Sequence, residues 1–277
     1  MKIVVVGLGV IGGSFTMALK KAGFTDVYGI DINEESLEKA KEQGLIKEGF
    51  TSGEQIVKDA DLIIISLYPR LVKQFILDNK NNFKDGAVIT DATGIKKLFI
   101  QDVVDILPPN IDFVFGHPMA GREKKGIDFA SADVFNGANY IITPVERNKP
   151  ENLDLIENLV YKLGFNRVRR ITPEYHDEMI GYTSQLPHTL AVALVNSDVE
   201  GRETGSFIGD SYRDLTRIAN INEDLWSELF LGNKENLLKS IENFESELDK
   251  IKNAIKNDDK EALKKLFIKS TARREKL

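Results

Sequence analysis

The segment Ile-Val-Val-Val-Gly-Leu-Gly-Val-Ile-Gly at residues 3–12 decides the fold, because an apolar run leads directly into a glycine-rich turn. The run 3–6 is typical of a buried strand, and residues 11–22 favour a helix. A G-x-G-x-x-G turn between a strand and a helix predicts a dinucleotide site when an acidic residue follows about 20 residues later. The sequence therefore predicts that the chain opens with a dinucleotide-binding β-α-β unit.

Each glycine of this turn has an expected task. Gly7 permits the tight turn, Gly9 lets the backbone approach a pyrophosphate, and Gly12 lets the helix pack closely on the sheet. The N–H groups of the helix N-terminus then face the phosphates. A turn of purely structural importance is the alternative. The predicted cofactor-binding residues are Gly7, Leu8, Gly9, Val10, Ile11, Gly12, Asp31 and Ser66.

Asp31 predicts which cofactor binds. It ends the predicted strand 27–30 and lies 19 residues after Gly12. A carboxylate at this position accepts hydrogen bonds from the adenosine ribose hydroxyls and would repel a 2′-phosphate. Ile32 and Asn33 supply no arginine for that phosphate, so NAD is favoured over NADP. A solvated strand end is the alternative interpretation of Asp31.

The rest of the first half repeats the alternation of strand and helix, which predicts a parallel sheet covered on both faces. After residue 171 the predicted strands stop and helices follow. We therefore expect a doubly wound α/β domain of the Rossmann type at 1–171 and an all-α domain at 172–277. An apolar stripe at 237–255 fits either packing within the helical domain or burial against a second subunit. Further strands are expected at 27–30, 62–65, 87–90, 113–115, 140–143 and 167–171, and helices at 34–43, 69–79, 96–106, 151–163, 176–196, 223–231, 235–256 and 260–270.

The composition of the 277 residues excludes several classes of function. The 37 basic and 43 acidic residues give a net charge of −6, which argues against a nucleic-acid partner. The absence of cysteine excludes disulfides, thiol nucleophiles and iron–sulfur clusters, and it fits a cytoplasmic protein. The apolar runs are too short to span a membrane, and no metal site is predicted.

His117 is the best-placed candidate for a catalytic base. An enzyme that oxidises an alcohol with a nicotinamide needs a group to take the hydroxyl proton. His117 follows a predicted strand within Gly-His-Pro-Met-Ala-Gly at 116–121, and the carboxyl ends of such strands face the ligand crevice. A histidine with its ordinary pKa of about 6.5 is largely neutral at pH 7 and can accept a proton. A structural loop histidine is the alternative.

Four motifs together resemble those of the prephenate dehydrogenase family, which includes arogenate and cyclohexadienyl dehydrogenases. They are GLGVIGGS at 7–14, GHPMAG at 116–121, SQLPH at 184–188 and YRDLTRIA at 212–219. The resemblance implies NAD-dependent oxidative decarboxylation of prephenate in tyrosine biosynthesis. The C4 hydroxyl loses its proton, C4 gives a hydride to nicotinamide, and the ring carboxylate leaves as CO₂. The resemblance also implies a homodimer joined through the helical domain. We expect a monofunctional enzyme, without an ACT-type regulatory domain or a chorismate mutase segment.

The resemblance also assigns substrate-binding roles. It implies that His117 hydrogen-bonds the C4 hydroxyl, that Arg217 holds the ring carboxylate and that His188 lies near the substrate. Arg213, Asp214 and Trp226 correspond to a polar network at the site entrance. Physical chemistry agrees on the need for a cation, since a dianionic substrate must approach an acidic protein.

Alternatives remain for several of these residues. Arg213 and Arg217 share a face only if their segment is helical, and either could form a surface ion pair. His188 could be a helix residue at a domain interface. His176 is interpreted as structural.

Two positions depart from the family pattern. Gly94 stands where many members have a serine, and Thr93 could supply that hydroxyl catalytically from one position earlier. Gln185 stands where many members have a first histidine before the Leu-Pro-His sequence.

Two residues bear on the choice between prephenate and arogenate. Arg122 would repel the ammonium group of arogenate and so favours prephenate, whereas Glu123 could reverse that preference.

The rival functions are a 3-hydroxyacid or imine dehydrogenase and a non-catalytic NAD-binding regulator. The stretch 183–199 lacks the lysine that the hydroxyacid group needs. A regulator would need neither a proton acceptor nor an anion clamp.

Overall fold

A computed structural model of the chain describes residues 1–121 and 124–276, and within these residues the first part forms one eight-stranded sheet. The strand order is β3-β2-β1-β4-β5-β6-β7-β8. All neighbouring strands are parallel except β6 and β7, which are antiparallel. The strands are β1 (Ile3–Val6), β2 (Val27–Ile30), β3 (Gly49–Phe50), β4 (Leu62–Ile65), β5 (Val88–Asp91), β6 (Asp112–Pro118), β7 (Asn139–Thr143) and β8 (Arg167–Arg170).

Helices cover both faces of this sheet, as its strands require. The central strands β1 and β4 are buried along their whole length, so neither face can meet water. Alternate residues of β1 belong to two separate cores, with Ile3 and Val5 on one face and Val4 and Val6 on the other. This confirms the predicted doubly wound α/β fold. The covering helices are α1 (Val10–Lys21), α2 (Glu34–Glu42), α3 (Pro69–Asn79), α4 (Lys97–Val104) and α5 (Pro150–Lys162).

The sheet differs from the expected all-parallel arrangement at β7. A parallel neighbour needs a long crossover, usually a helix, whereas an antiparallel neighbour does not. The described residues between β6 and β7 form only two short 3₁₀ turns, at Ile127–Phe129 and Ala132–Phe135. The predicted parallel sheet therefore contains one antiparallel pair, β6 and β7. The two-residue strand β3, which was not predicted, pairs with β2.

The chain after the sheet is helical, as predicted. One π-helical turn at Gly181–Gln185 lies immediately before α7. Proline lacks an N–H and fits only the first turn of a regular helix, which is where Pro187 lies. The helices are α6 (Pro173–Ile180), α7 (Leu186–Asn196), α8 (Asp210–Thr216), α9 (Glu223–Gly232), α10 (Lys234–Lys256) and α11 (Lys260–Arg274).

The apolar stripe of α10 is only partly covered within the chain. Leu237 is buried, whereas Leu248 is 48% exposed and Ile255 is 61% exposed. Packing inside the helical region therefore buries the start of the stripe, whereas apolar side chains nearer its end remain exposed. Among the described helices, none is long and apolar enough to cross a membrane.

Candidate active site

The glycine-rich turn has the close backbone packing that the sequence predicted. Gly7 has φ +83°, a conformation that side chains disfavour. A methyl group at Gly12 would lie 1.7 Å from the Gly7 carbonyl oxygen, so α1 approaches the turn too closely for any side chain there. The turn thus brings the first turn of α1 directly under the end of β1.

The same turn leaves room and hydrogen-bonding groups for a dinucleotide. A methyl group at Gly9, which caps α1, would meet nothing within 4 Å, and no side chain caps that helix. The buried hydroxyl of Ser66, at the end of β4, has no hydrogen-bond partner. An open helix N-terminus beside an unsatisfied hydroxyl fits a bound phosphate group.

Asp31 is held in place at the end of β2. Its carboxylate accepts hydrogen bonds from the backbone N–H of Leu8, at 2.6 Å, and from that of Asn33, at 2.8 Å. The bond to Leu8 links the acid to the glycine-rich turn. This position beside the turn is the one that the ribose-binding role requires.

Two alanine substitutions separate packing from cofactor binding in this turn. We expect Gly12→Ala to lower the free energy of unfolding by about 1–3 kcal/mol or more, because its methyl group overlaps the Gly7 carbonyl. Gly9→Ala should leave stability unchanged and weaken NAD binding about tenfold or more, since its methyl group lies where the pyrophosphate must come close. Thermal unfolding and NAD titration of both variants test this. Equal effects on stability would contradict it.

His117 lies near the end of β6, and its Nε2 atom faces Gly94 and α9. A methyl group at Gly94 would lie 3.8 Å from Nε2 of His117 and 3.2 Å from Cδ2 of Leu229. His117 itself is half-buried. Burial lowers its pKa well below the usual value, and the nearby His176 and Lys96 lower it further. The imidazole is therefore neutral at pH 7 and can accept a proton.

The other ring nitrogen of His117 contacts His176. Nδ1 of His117 lies 2.9 Å from Nε2 of His176, and Nδ1 of His176 lies 2.7 Å from Oδ1 of Asp177. His176 and Asp177 are 1% and 2% exposed. Burial also lowers the pKa of His176, against the effect of Asp177. His176, interpreted from the sequence as structural, is thus in direct contact with the candidate base.

A second buried cluster lies on the far side of Gly116. Nζ of Lys96, whose side chain is fully buried, donates to Oδ2 of Asp91 at 2.6 Å, to the Gly116 carbonyl at 2.6 Å and to the Thr93 hydroxyl at 2.9 Å. Burial lowers the pKa of Lys96, and the carboxylate of Asp91 opposes that effect. The Thr93 hydroxyl also donates to Asp91. Thr93 is therefore engaged within this cluster beside the backbone of His117.

Three elements of the helical part hold His188, Trp226 and Arg217. The ring of His188, on α7, stacks on Trp226 of α9 with centroids 3.7 Å apart, and its Nδ1 donates to the Ser184 carbonyl at 2.9 Å. The 3₁₀ turn that holds Arg217 packs against α7. Trp226 and Leu229 lie three residues apart on α9, so one helix contacts both His188 and the Gly94 region.

Arg213 and Arg217 do not share a continuous helix. Arg213 lies on α8 and pairs with Asp210 at 2.6 Å, whereas α8 ends at Thr216 and Arg217 begins the 3₁₀ turn. The condition for a common face, one continuous α-helix over both residues, is therefore not met. Asp214 is exposed on α8. Arg122 and Glu123 lie outside the described residues.

Contacts from α9 also join the helical part to the sheet. Nε of Arg70 donates to Glu228 at 2.5 Å, and Asn222 donates to the Tyr68 hydroxyl at 2.8 Å. Tyr68 and Arg70 follow Ser66 directly at the end of β4. The short segment 66–70 therefore connects the glycine-rich turn with the region of α9.

Comparisons with known proteins cover both parts of the chain. The family model described as the nucleotide-binding domain of prephenate dehydrogenase matches residues 15–168, and the model of its dimerization domain matches residues 172–269. Prephenate dehydrogenase of Bacillus subtilis is 30% identical over 272 residues, which are 96% of this chain and 73% of that protein. The chain belongs to the prephenate dehydrogenase family.

Solved structures of this family have the same fold. The prephenate dehydrogenase from Aquifex aeolicus, solved with hydroxyphenyl propionate and NAD⁺, is 33% identical and superposes with a TM-score of 0.90 over 99% of this chain and 98% of the other. Synechocystis arogenate dehydrogenase is 27% identical with a TM-score of 0.83 over 100% and 99% of the two chains. The expected family and its NAD-dependent dehydrogenase character are confirmed.

The two departures from the prephenate dehydrogenase pattern have different surroundings. Gly94, at the position of the family serine, lies beside Nε2 of His117, and a methyl group there would press on Cδ2 of Leu229 at 3.2 Å. Gln185 is 1% exposed, donates to the Leu229 carbonyl and accepts from Asn233. Its amide therefore joins the π-helical turn before α7 to α9, a role that needs no titratable group.

Sequence reasoning did not identify Lys96, Asp91 and Asp177 as part of the site. One signal was present: Asp91 and Lys96 bracket the loop that holds Gly94, and Asp91 ends a strand at the ligand edge of the sheet. Asp177 lies next to His176 in the chain, but the backbone N–H groups that bind its carboxylate lie 80 and 81 residues away, so the sequence did not indicate them.

Proposed function

We propose that this chain catalyses the NAD-dependent oxidative decarboxylation of prephenate to 4-hydroxyphenylpyruvate. The observation that carries the proposal is His117, a neutral imidazole whose Nε2 faces the Gly94 loop while its Nδ1 is engaged by His176. Leu229 of α9 lies beside the same Gly94 loop. The family assignment supports the substrate.

The residues that would hold NAD are those of the glycine turn, with Ser66 at the phosphates and Asp31 at the adenosine ribose. Gly7, Gly9 and Gly12 shape the turn, and the backbone of Leu8, Val10 and Ile11 follows it. When bound, NAD supplies the two-electron oxidant for the reaction. The open surface at Gly9 and the unsatisfied Ser66 hydroxyl support this placement.

His117 acts as the general base that takes the proton from the C4 hydroxyl of the substrate. Its Nε2 lone pair is the acceptor, and the low pKa keeps this lone pair available at neutral pH. Oxidation of C4 gives a carbonyl there, and the ring carboxylate then leaves as CO₂. The electron pair of the broken C–C bond makes the ring aromatic and leaves the C4 oxygen as a phenolate, which takes a proton back to become the phenol. Thr93 and Lys96 hold the segment beside His117 rather than supply the proton acceptor.

A cation must hold the substrate's ring carboxylate, and Arg217 takes that role in the proposal. A guanidinium binds a carboxylate through two parallel hydrogen bonds. His188, stacked on Trp226, lines the proposed substrate site next to Arg217. Arg213 and Asp214 lie on α8, the helix that precedes the Arg217 turn. Arg122 and Glu123 are proposed to contact the substrate side chain.

The pH dependence of kcat/KM follows from the lowered pKa of His117. The imidazole acts only when neutral, and its pKa lies well below 6.5. Activity should therefore persist as the pH falls through 6.5 and decline only at lower pH, where the free enzyme becomes protonated. Initial rates measured across this range test the expectation. Half-maximal kcat/KM at or above pH 6.5 would contradict it.

The direct test of the function is NADH formation after addition of prephenate or arogenate, each with NAD and with NADP. We expect the highest kcat/KM with prephenate and NAD, because Asp31 repels the 2′-phosphate of NADP. The similarity to Synechocystis arogenate dehydrogenase supports arogenate as the second candidate. A higher kcat/KM for arogenate would select that candidate, and no NADH from either substrate would reject both.

The proposal includes a homodimer joined through the helical residues, which we assign to 172–277, after a dinucleotide domain at 1–171. Support comes from the family description of a dimerization domain and from exposed apolar side chains such as Leu248, Ile255 and Phe267. Sedimentation analysis checks the dimer. A cytoplasmic location is proposed from the cysteine-free sequence.

A further inference from the structure

The contacts of Asp177 fix the direction of a hydrogen-bond chain that ends at His117. Its Oδ1 accepts from the backbone N–H of Lys96 at 2.9 Å, and its Oδ2 accepts from that of Lys97 at 2.8 Å. These two amides precede and begin α4. A carboxylate offers only acceptors, so Nδ1 of His176, 2.7 Å from Oδ1, must carry a proton and donate it.

The proton on Nδ1 of His176 determines the tautomer of the His117 ring. A neutral imidazole has one N–H, so Nε2 of His176 is an acceptor. Nδ1 of His117 lies 2.9 Å away and must therefore be the donor. Burial keeps both rings neutral, since it lowers the pKa of each.

We propose that His176 and Asp177 are positioning residues that hold His117 in the tautomer with its proton on Nδ1 and a bare Nε2. This inference rests on the proposed function of His117 as the base. A neutral histidine in water favours the opposite tautomer, with the proton on Nε2, which could not accept a proton from a substrate hydroxyl. The hydrogen-bond chain from Asp177 through His176 therefore keeps Nε2 of His117 without a proton, which is the tautomer that the reaction requires.

Other ionisable groups near the two rings leave this direction unchanged. Lys96, behind His117, donates its Nζ hydrogens to Asp91, Thr93 and the Gly116 carbonyl. Asp91 accepts from Lys96, Thr93 and the Gly116 N–H. Lys96 and Asp91 both hydrogen-bond the backbone of Gly116, next to His117, whereas the His117 ring itself hydrogen-bonds His176.

Nitrogen-15 NMR of histidine-labelled protein reads the tautomer directly and does not depend on activity. The chain has three histidines, so single substitutions assign the ring signals. At neutral pH we expect His117 to show a protonated Nδ1 and an unprotonated Nε2. A proton on Nε2 of His117 would overturn the proposal even if the enzyme turns over prephenate. The expected tautomer in a protein without dehydrogenase activity would instead reject the proposed function alone.

Kinetics of two His176 variants separate positioning from packing. His176→Gln can place an amide oxygen near the position of Nε2 and still accept from His117, whereas His176→Leu fills the space and accepts nothing. We expect His176→Leu to lower kcat about 10²-fold with KM and NAD affinity unchanged, and His176→Gln to recover most of that loss. Equal losses in both variants, or a rise in KM without a fall in kcat, would overturn the positioning role. Circular dichroism and NAD titration confirm that each variant is folded.

Discussion

His117→Asn should lower kcat by about 10²–10⁴-fold while KM for prephenate and NAD affinity remain close to those of the wild type. Asparagine occupies a similar volume and can still form a hydrogen bond to the C4 hydroxyl. Asparagine cannot accept the proton, so the substitution removes stabilisation of the transition state and leaves substrate binding unchanged. Steady-state kinetics with prephenate and a separate NAD titration measure the two effects.

The matched control for this variant is Gly94→Ala. Its methyl group would lie 3.8 Å from Nε2 of His117, an ordinary contact, and 3.2 Å from Cδ2 of Leu229, so the Leu229 side chain must shift slightly while the imidazole stays intact. We expect Gly94→Ala to stay within about tenfold of the wild-type kcat, well short of the loss of a general base. A His117→Asn enzyme with wild-type kcat would show that another group takes the proton.

Arg217→Ala should raise KM for prephenate by about 30-fold or more, because truncation of one partner of a charged pair costs about 2–5 kcal/mol in binding. The fall in kcat should be smaller, since the residue holds a carboxylate and takes no proton. Arg217→Lys should recover part of the affinity, because lysine keeps the charge but loses the two-pronged geometry. Initial rates over a range of prephenate concentrations give both constants.

Arg202→Ala is the control for general electrostatics. Arg202 is exposed, pairs with Asp198 at 3.5 Å and changes the net charge by the same amount. KM should be unchanged in this variant. If both arginine variants raised KM equally, long-range charge rather than a contact at Arg217 would explain the effect.

The sequence predicted the sheet and the dinucleotide turn because both depend on local patterns. Residues 3–12 contain the strand, the turn and the start of the helix, and Asp31 lies at a fixed distance along the chain. The direction of β7 was missed because it depends on the connection before it, which contains only short 3₁₀ turns among its described residues.

The candidate site was predicted only in part, for a similar reason. His117 could be identified from its loop and from the family motifs. The role of His176 could not, because its partner His117 is 59 residues away in the chain and comes from a different secondary-structure element. Hydrophobic periodicity places His176 on a helix but does not indicate which side chain it meets.

The break between Arg213 and Arg217 also depends on tertiary packing. A spacing of four residues predicts a shared face only on an uninterrupted α-helix. α8 ends at Thr216, and the 3₁₀ turn that begins at Arg217 packs against α7.

A crystal structure of the wild-type enzyme with prephenate and NADH tests the central claim most directly, since the reduced cofactor prevents turnover. We predict that Nε2 of His117 lies about 2.6–3.2 Å from the C4 hydroxyl oxygen and that the Arg217 guanidinium binds the ring carboxylate. A substrate bound with its C4 hydroxyl away from His117, or with no contact to Arg217, would contradict it.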